Sequence, residues 1–183
     1  MNLPNILTVG RMLAVPLVAW FISNGQHFLA FWLFVLAGVT DALDGAIARR
    51  FDQRTELGAY LDPIADKALL VSIYVTLGML GEIPALLVIA VVFRDLVIVA
   101  AVALAWAIEK PLPITPLGVS KANTVAQMIF AGVVLGADGF ALDLSIIERP
   151  AAYLVGGLTL GSAGAYLVAF IRHMALTEPT PDA

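Results

Sequence analysis

Apolar side chains fill residues 6–22, 28–48, 57–80, 83–108, 119–137 and 151–174 with few interruptions. Each run reaches or approaches the roughly 20 residues an α-helix needs to cross a hydrocarbon layer. The pattern predicts six transmembrane helices. Their connections are short and turn-like at residues 23–27, at Gly81 with Glu82 and at the Pro-rich 109–118, and longer and polar at 138–150. The expected fold is an all-α integral membrane bundle, one domain over residues 1–176. Residues 177–183, with two prolines and no apolar period, read as a disordered tail.

Basic residues orient this bundle, because Lys and Arg are retained in cytoplasmic loops. Arg49, Arg50 and Arg54 mark the second connection as cytoplasmic. Alternate crossing then puts Lys110, Lys121 and Arg172 on the same side and leaves Arg149 in an outer loop, with both termini cytoplasmic.

Composition narrows the chemistry. With 61% hydrophobic and 13% charged residues, the chain is far more apolar than a soluble domain, which carries about 25% charge. A net charge of -4 argues against a nucleic-acid partner held by a basic surface. There is no cysteine and there are two isolated histidines, so any metal is expected to be a hard, oxygen-bound one. The first residues lack a positive n-region with a cleavage site, and also the Arg-rich character of a transit peptide. The expected location is a bacterial plasma membrane, multi-pass, without processing.

Four carboxylates interrupt the second and third apolar runs: Asp41, Asp44, Asp62 and Asp66. Acids at such positions are costly and are kept where they bind an ion, relay a proton or pair with a cation. Asp41 with Asp44 and Asp62 with Asp66 are spaced i, i+3 and i, i+4, so each pair shares a helix face. Helical rise puts Asp41 and Asp62 roughly 9 to 12 Å inside the cytoplasmic ends of antiparallel helices. Such a cluster suits Mg²⁺ or Mn²⁺, and four carboxylates can hold two ions of the kind that serve phosphoryl chemistry. The alternatives are a cation pathway through a transporter and a structural network with Arg49 and Lys67. Gly45, Ala48 and Gly58 remove bulk beside the acids, for a ligand or for close helix packing. Arg49 offers a bidentate donor to phosphate or a plain interfacial anchor.

The pattern D-x-x-D-G-x-x-A-R, eight residues, then G-x-x-x-D-x-x-x-D is matched at Asp41, Asp44, Gly45, Ala48, Arg49, Gly58, Asp62 and Asp66. It resembles the signature of the CDP-alcohol phosphatidyltransferases. That resemblance implies six transmembrane helices, two divalent cations on the four aspartates, and Asp66 as the base that deprotonates an acceptor hydroxyl. It also implies Gly45, Ala48, Arg49, Thr55 and Gly58 around the CDP moiety, and a homodimer.

The acceptor has to be sought among the remaining charges. Arg11 and Lys121 can snorkel to the interface. Arg94, mid-helix in the fourth run, must instead form an ion pair or meet a phosphate, and Asp95 points about 100° away on the helix, so it need not be the partner. Residues 2–8, 37–45, 93–98 and 118–127 resemble the CMP-forming cardiolipin synthases. The similar phosphatidylglycerophosphate synthases would carry Arg-Glu at Arg94-Asp95 and a second lysine where this chain has Asn123. A small dianion such as glycerol 3-phosphate needs several cations, whereas phosphatidylglycerol is a monoanionic diester. The resemblance therefore implies CDP-diacylglycerol as donor and phosphatidylglycerol as acceptor, with Arg94, Ser120, Lys121, Asn123 and Arg11 as candidate acceptor contacts. Glycerol 3-phosphate is the alternative acceptor. Small-residue pairs at Gly132 with Gly136 and Gly157 with Gly161 suit helix packing. His27 and His173, near helix ends, read as interfacial.

Overall fold

A computed structural model describes the backbone of residues 3–51, 56–107 and 118–176, and the side chains of residues 10–42, 65–100, 104 and 118–172. Six α-helices and no strands occur among the described residues: α1 (Leu3–Ser23), α2 (His27–Phe51), α3 (Glu56–Leu80), α4 (Ala85–Ala107), α5 (Gly118–Gly139) and α6 (Ser145–Leu176). Each expected apolar run corresponds to one of them. Thr55, Lys110 and residues 177–183 lie outside the described residues.

The polar break expected at 138–150 is shorter in the structure. α5 continues through Gly139, and α6 begins at Ser145, ahead of Pro150. The Leu144 carbonyl accepts the Ile147 and Glu148 N–H groups at 2.8 and 2.9 Å and so opens the helix. Pro150 is the sixth residue of α6 and lies inside the helix, past the first four N–H groups that lack helical partners.

Packing pairs α1 with α2 and α3, α2 with α5, and α6 with α4 and α5. The apolar core joins Val18 and Ile22 of α1, Ile73, Tyr74 and Leu77 of α3, Val91 of α4, and Val134 and Leu135 of α5. Gly132 and Gly136 face α2, where a Cβ would lie 3.6 Å from Phe34 and 3.2 Å from Phe31. Gly157 and Gly161 have no described atom within 4 Å of that position, so they form no such contact.

Large apolar side chains also cover much of the outside of the bundle. Leu13, Trp20, Trp32, Leu86, Ile146 and Leu154 are all more than half exposed. Polar groups lie inside instead: Arg11, Arg94, Asp95, Asn123, Gln127, Thr159 and Ser162 are buried. Thr40, Thr76 and Thr124 return their hydroxyls to carbonyls one turn back, which satisfies them without water. α5 and α6 are long and apolar enough to cross a membrane, and α1 and α2 carry shorter apolar stretches at Gly10–Ser23 and His27–Ala42.

Candidate active site

Antiparallel order carries the start of α1, the end of α2, the start of α3, the end of α4, the start of α5 and the end of α6 to one end of the bundle. Asp41, Asp66 and Asp95 and the buried cations Arg11 and Arg94 lie there. Arg11 of α1 lies between α2 and α3, its side chain only 3% exposed. Its Nη2 donates to Asp41 Oδ1 at 2.6 Å and its Nη1 to Asp66 Oδ1 at 2.7 Å. Two carboxylates from antiparallel helices thus converge on one guanidinium. Arg11 does not snorkel outward, because the carboxylates on both neighbouring helices hold it inward. Its Nε has no hydrogen-bond partner among the described residues.

The side chains of Asp44, Gly45, Ala48, Arg49, Gly58 and Asp62 lie outside the described residues, although their backbone belongs to α2 and α3.

A second charged group lies on α3 and α4. Lys67, next to Asp66, reaches Asp95 Oδ1 at 2.6 Å, and Arg94 Nη1 donates to the same oxygen at 2.5 Å. Arg94 pairs with its neighbour, one of the two roles expected of it, and the helix angle leaves the partner open. The 100° between successive Cβ directions does not restrain a side chain as long as arginine. The rest of its guanidinium is also engaged: Nη2 donates to Ser120 Oγ at 2.5 Å and to Ser162 Oγ at 3.0 Å, and Nε to Ser162 Oγ at 3.3 Å. The Tyr166 ring lies 5.9 Å from the guanidinium carbon, within cation–π range. Two cations and one carboxylate leave this group with one net positive charge.

Further into the bundle, Thr159 Oγ1 donates to Asn123 Oδ1 at 2.9 Å and accepts from Gln127 Nε2 at 3.1 Å. Tyr74 Oη donates to the Gln127 carbonyl at 3.1 Å. Asn123 Nδ2 is buried without a partner among the described residues. Lys121 is exposed. Of the residues expected at the acceptor, Arg94 and Ser120 are therefore in direct contact, Asn123 lies in the adjoining amide–hydroxyl cluster, and Arg11 belongs with the acids. Sequence reasoning passed over Thr159, Ser162 and Gln127. Their signal was available, since hydroxyls and amides in an apolar helix turn toward the bundle interior.

A family model described as CDP-alcohol phosphatidyltransferase matches residues 1–168. The chain belongs to this family. Relatives within it include a cardiolipin synthase (CMP-forming) / mitochondrial hydrolase fusion protein of Schizosaccharomyces pombe, 32% identical over 91% of this chain and 31% of that protein. A probable cardiolipin synthase (CMP-forming) of Drosophila melanogaster is 34% identical over 92% of this chain and 57% of its own length. A CDP-diacylglycerol--glycerol-3-phosphate 3-phosphatidyltransferase of Rickettsia felis is 32% identical over 94% of this chain and 97% of its own. The chain thus spans a third to just over half of the two cardiolipin synthases and nearly all of the Rickettsia protein. These CDP-alcohol phosphatidyltransferases carry names for two activities, so relatedness alone leaves the acceptor to the residues.

Proposed function

We propose that this phosphatidyltransferase moves the phosphatidyl group of CDP-diacylglycerol onto phosphatidylglycerol, forming cardiolipin and CMP. The observation that carries the reading is the meeting of Asp41 and Asp66 at one cation, within a chain of this family. The acceptor hydroxyl oxygen attacks the lipid-bearing β-phosphorus, the bond from that phosphorus to the bridging oxygen breaks, CMP leaves with the electron pair, and the hydroxyl proton passes to Asp66.

The donor set suits divalent cations. Asp41 and Asp66 present hard oxygens from two helices to a common positive charge, and Asp44 and Asp62 share their faces. These four residues would hold Mg²⁺ or Mn²⁺, which when bound neutralises the pyrophosphate and the developing charge. Gly45, Ala48 and Gly58 leave room beside the acids for the CDP head, with Arg49 and Thr55 as polar contacts. Arg11 keeps Asp41 and Asp66 facing each other.

Charge counting favours phosphatidylglycerol. The Lys67–Asp95–Arg94 group carries one net positive charge, which matches a monoanionic diester better than a dianionic phosphate monoester. Glycerol 3-phosphate is the second reading, favoured by the end-to-end similarity to the Rickettsia protein. An apolar exterior, with Arg11, Arg94, Asn123 and Gln127 turned inward, supports six crossings with the acids toward the cytoplasm, where a CDP head can enter while the acyl chains stay in lipid. The same family membership argues for group transfer over a cation-coupled transporter. The test is product analysis with CDP-diacylglycerol and each acceptor. Cardiolipin from phosphatidylglycerol is expected, and CMP release with glycerol 3-phosphate alone would overturn the acceptor assignment.

A further inference from the structure

At the opposite end of the bundle, three connections bring together side chains that phosphatidyl transfer does not use. His27 opens α2, Glu82 lies in the turn between α3 and α4, and Asp138 is the next-to-last residue of α5. Local geometry fixes each of them. Gly81, at a φ of 78°, donates to the Gly78 carbonyl at 3.1 Å, and Glu82 N–H to the Leu77 carbonyl at 3.0 Å. This closes α3 in a glycine C-cap and sets Glu82 just beyond it. Gly139 lets α5 meet the backbone of α2, since a Cβ there would lie 2.9 Å from Phe28 N and Cα. That approach carries Asp138 to the side of His27.

The resulting distances are those of a ligand set. His27 Nε2 lies 3.0 and 3.1 Å from the two Glu82 carboxylate oxygens. Nε2 and one oxygen from each carboxylate all lie within 4.8 Å of one another. Adjacent ligands held about 2.0–2.2 Å from one ion stand roughly 3.0–3.5 Å apart. His27 and Glu82 already have that spacing, and the exposed Asp138, within 4.8 Å of both, has to draw closer along the other two edges. Glu82 also lines an open groove of about 880 Å³ with Arg149 and Tyr153.

We propose that His27, Glu82 and Asp138 form a divalent-metal site remote from the aspartates, taking an ion of the Zn²⁺ or Mn²⁺ class. One imidazole nitrogen with two carboxylates suits such ions better than Mg²⁺ or Ca²⁺, which favour all-oxygen sets. The ion takes the place of the proton shared by His27 and Glu82 and ties the start of α2, the α3–α4 turn and the end of α5 together. A plain His27–Glu82 ion pair would need neither Asp138 nor a metal.

The test uses tag-free, full-length protein in detergent, loaded with Mn²⁺ in nitrogen-free buffer and read by electron spin echo envelope modulation. The chain has only two histidines, and the aspartate site is all-oxygen. A ¹⁴N coupling is expected in the unaltered protein and in His173→Gln, and its loss in His27→Gln. Asp138→Asn, which leaves the His27–Glu82 pair intact, should lose the coupling too, together with the rise in melting temperature that Zn²⁺ gives the unaltered protein. Melting in chelator shows that each variant is folded. Absence of ¹⁴N coupling in the unaltered protein, or its persistence in His27→Gln or Asp138→Asn, overturns the proposal.

Discussion

Arg11 Nη1 lies 2.7 Å from Asp66 Oδ1, and the same guanidinium holds Asp41 from the other side. Removing the cation would leave two carboxylates facing each other in a partly dry space. Arg11→Ala should cost about 1–3 kcal/mol, because the arginine is buried but the carboxylates it leaves are about a third exposed and partly solvated. Thermal melting in detergent with chelator should show a marked drop, largely reversed by Mg²⁺ or Mn²⁺. An unchanged melting temperature would mean that the acids do not depend on Arg11.

Arg94 spreads its donors over Asp95, Ser120 and Ser162. A lysine keeps the charge but not the fork. Arg94→Lys should raise KM for the acceptor about tenfold, equivalent to ~1.4 kcal/mol, with KM for CDP-diacylglycerol little changed. Steady-state kinetics with each substrate varied in turn checks this. An equal rise for both substrates would place Arg94 in the general scaffold and not at the acceptor.

Thr159 is the hinge of the buried amide cluster, giving one hydrogen bond and accepting another. Thr159→Val keeps the shape and removes both, so Asn123 and Gln127 are left short of partners. The expected loss is about 1–3 kcal/mol, measured by thermal or denaturant unfolding. Stability equal to the unaltered protein would show that other groups satisfy these amides.

Gly139 and Gly161 should respond in opposite directions to the same change. A methyl at Gly139 meets the Phe28 backbone, which cannot move aside as a side chain can, so Gly139→Ala should destabilise by about 1–3 kcal/mol. Gly161 has no described atom near its Cβ position, and Gly161→Ala should stabilise α6 by roughly 0.5–1 kcal/mol. Melting temperatures of the two variants decide this together.

Much of the fold was legible because an apolar run of about 20 residues has few alternatives to a helix, and short turns make consecutive helices antiparallel. From that order alone, Asp41 and Asp66 had to lie at the same end as Arg11, Arg94 and Ser120. What escaped the sequence was side-chain reach. Cβ directions left the partner of Arg94 open, and four rotatable bonds bring it to Asp95. Snorkelling assigned Arg11 outward, but only the packing of α1 against both α2 and α3 shows that carboxylates wait inside. Pro150 read as the end of a loop because proline breaks helix interiors, although it stands within the first turns of α6.

The central claim is that Asp66 takes the acceptor proton at a site it shares with Asp41. Its most direct test is CMP release from CDP-diacylglycerol and phosphatidylglycerol by Asp66→Asn protein, with Mg²⁺ or Mn²⁺ present and melting confirmed near that of the unaltered protein. A positioned base contributes about 10²–10⁴-fold, so release should fall at least that far, with no cardiolipin formed above background. Turnover close to that of the unaltered protein would contradict the account.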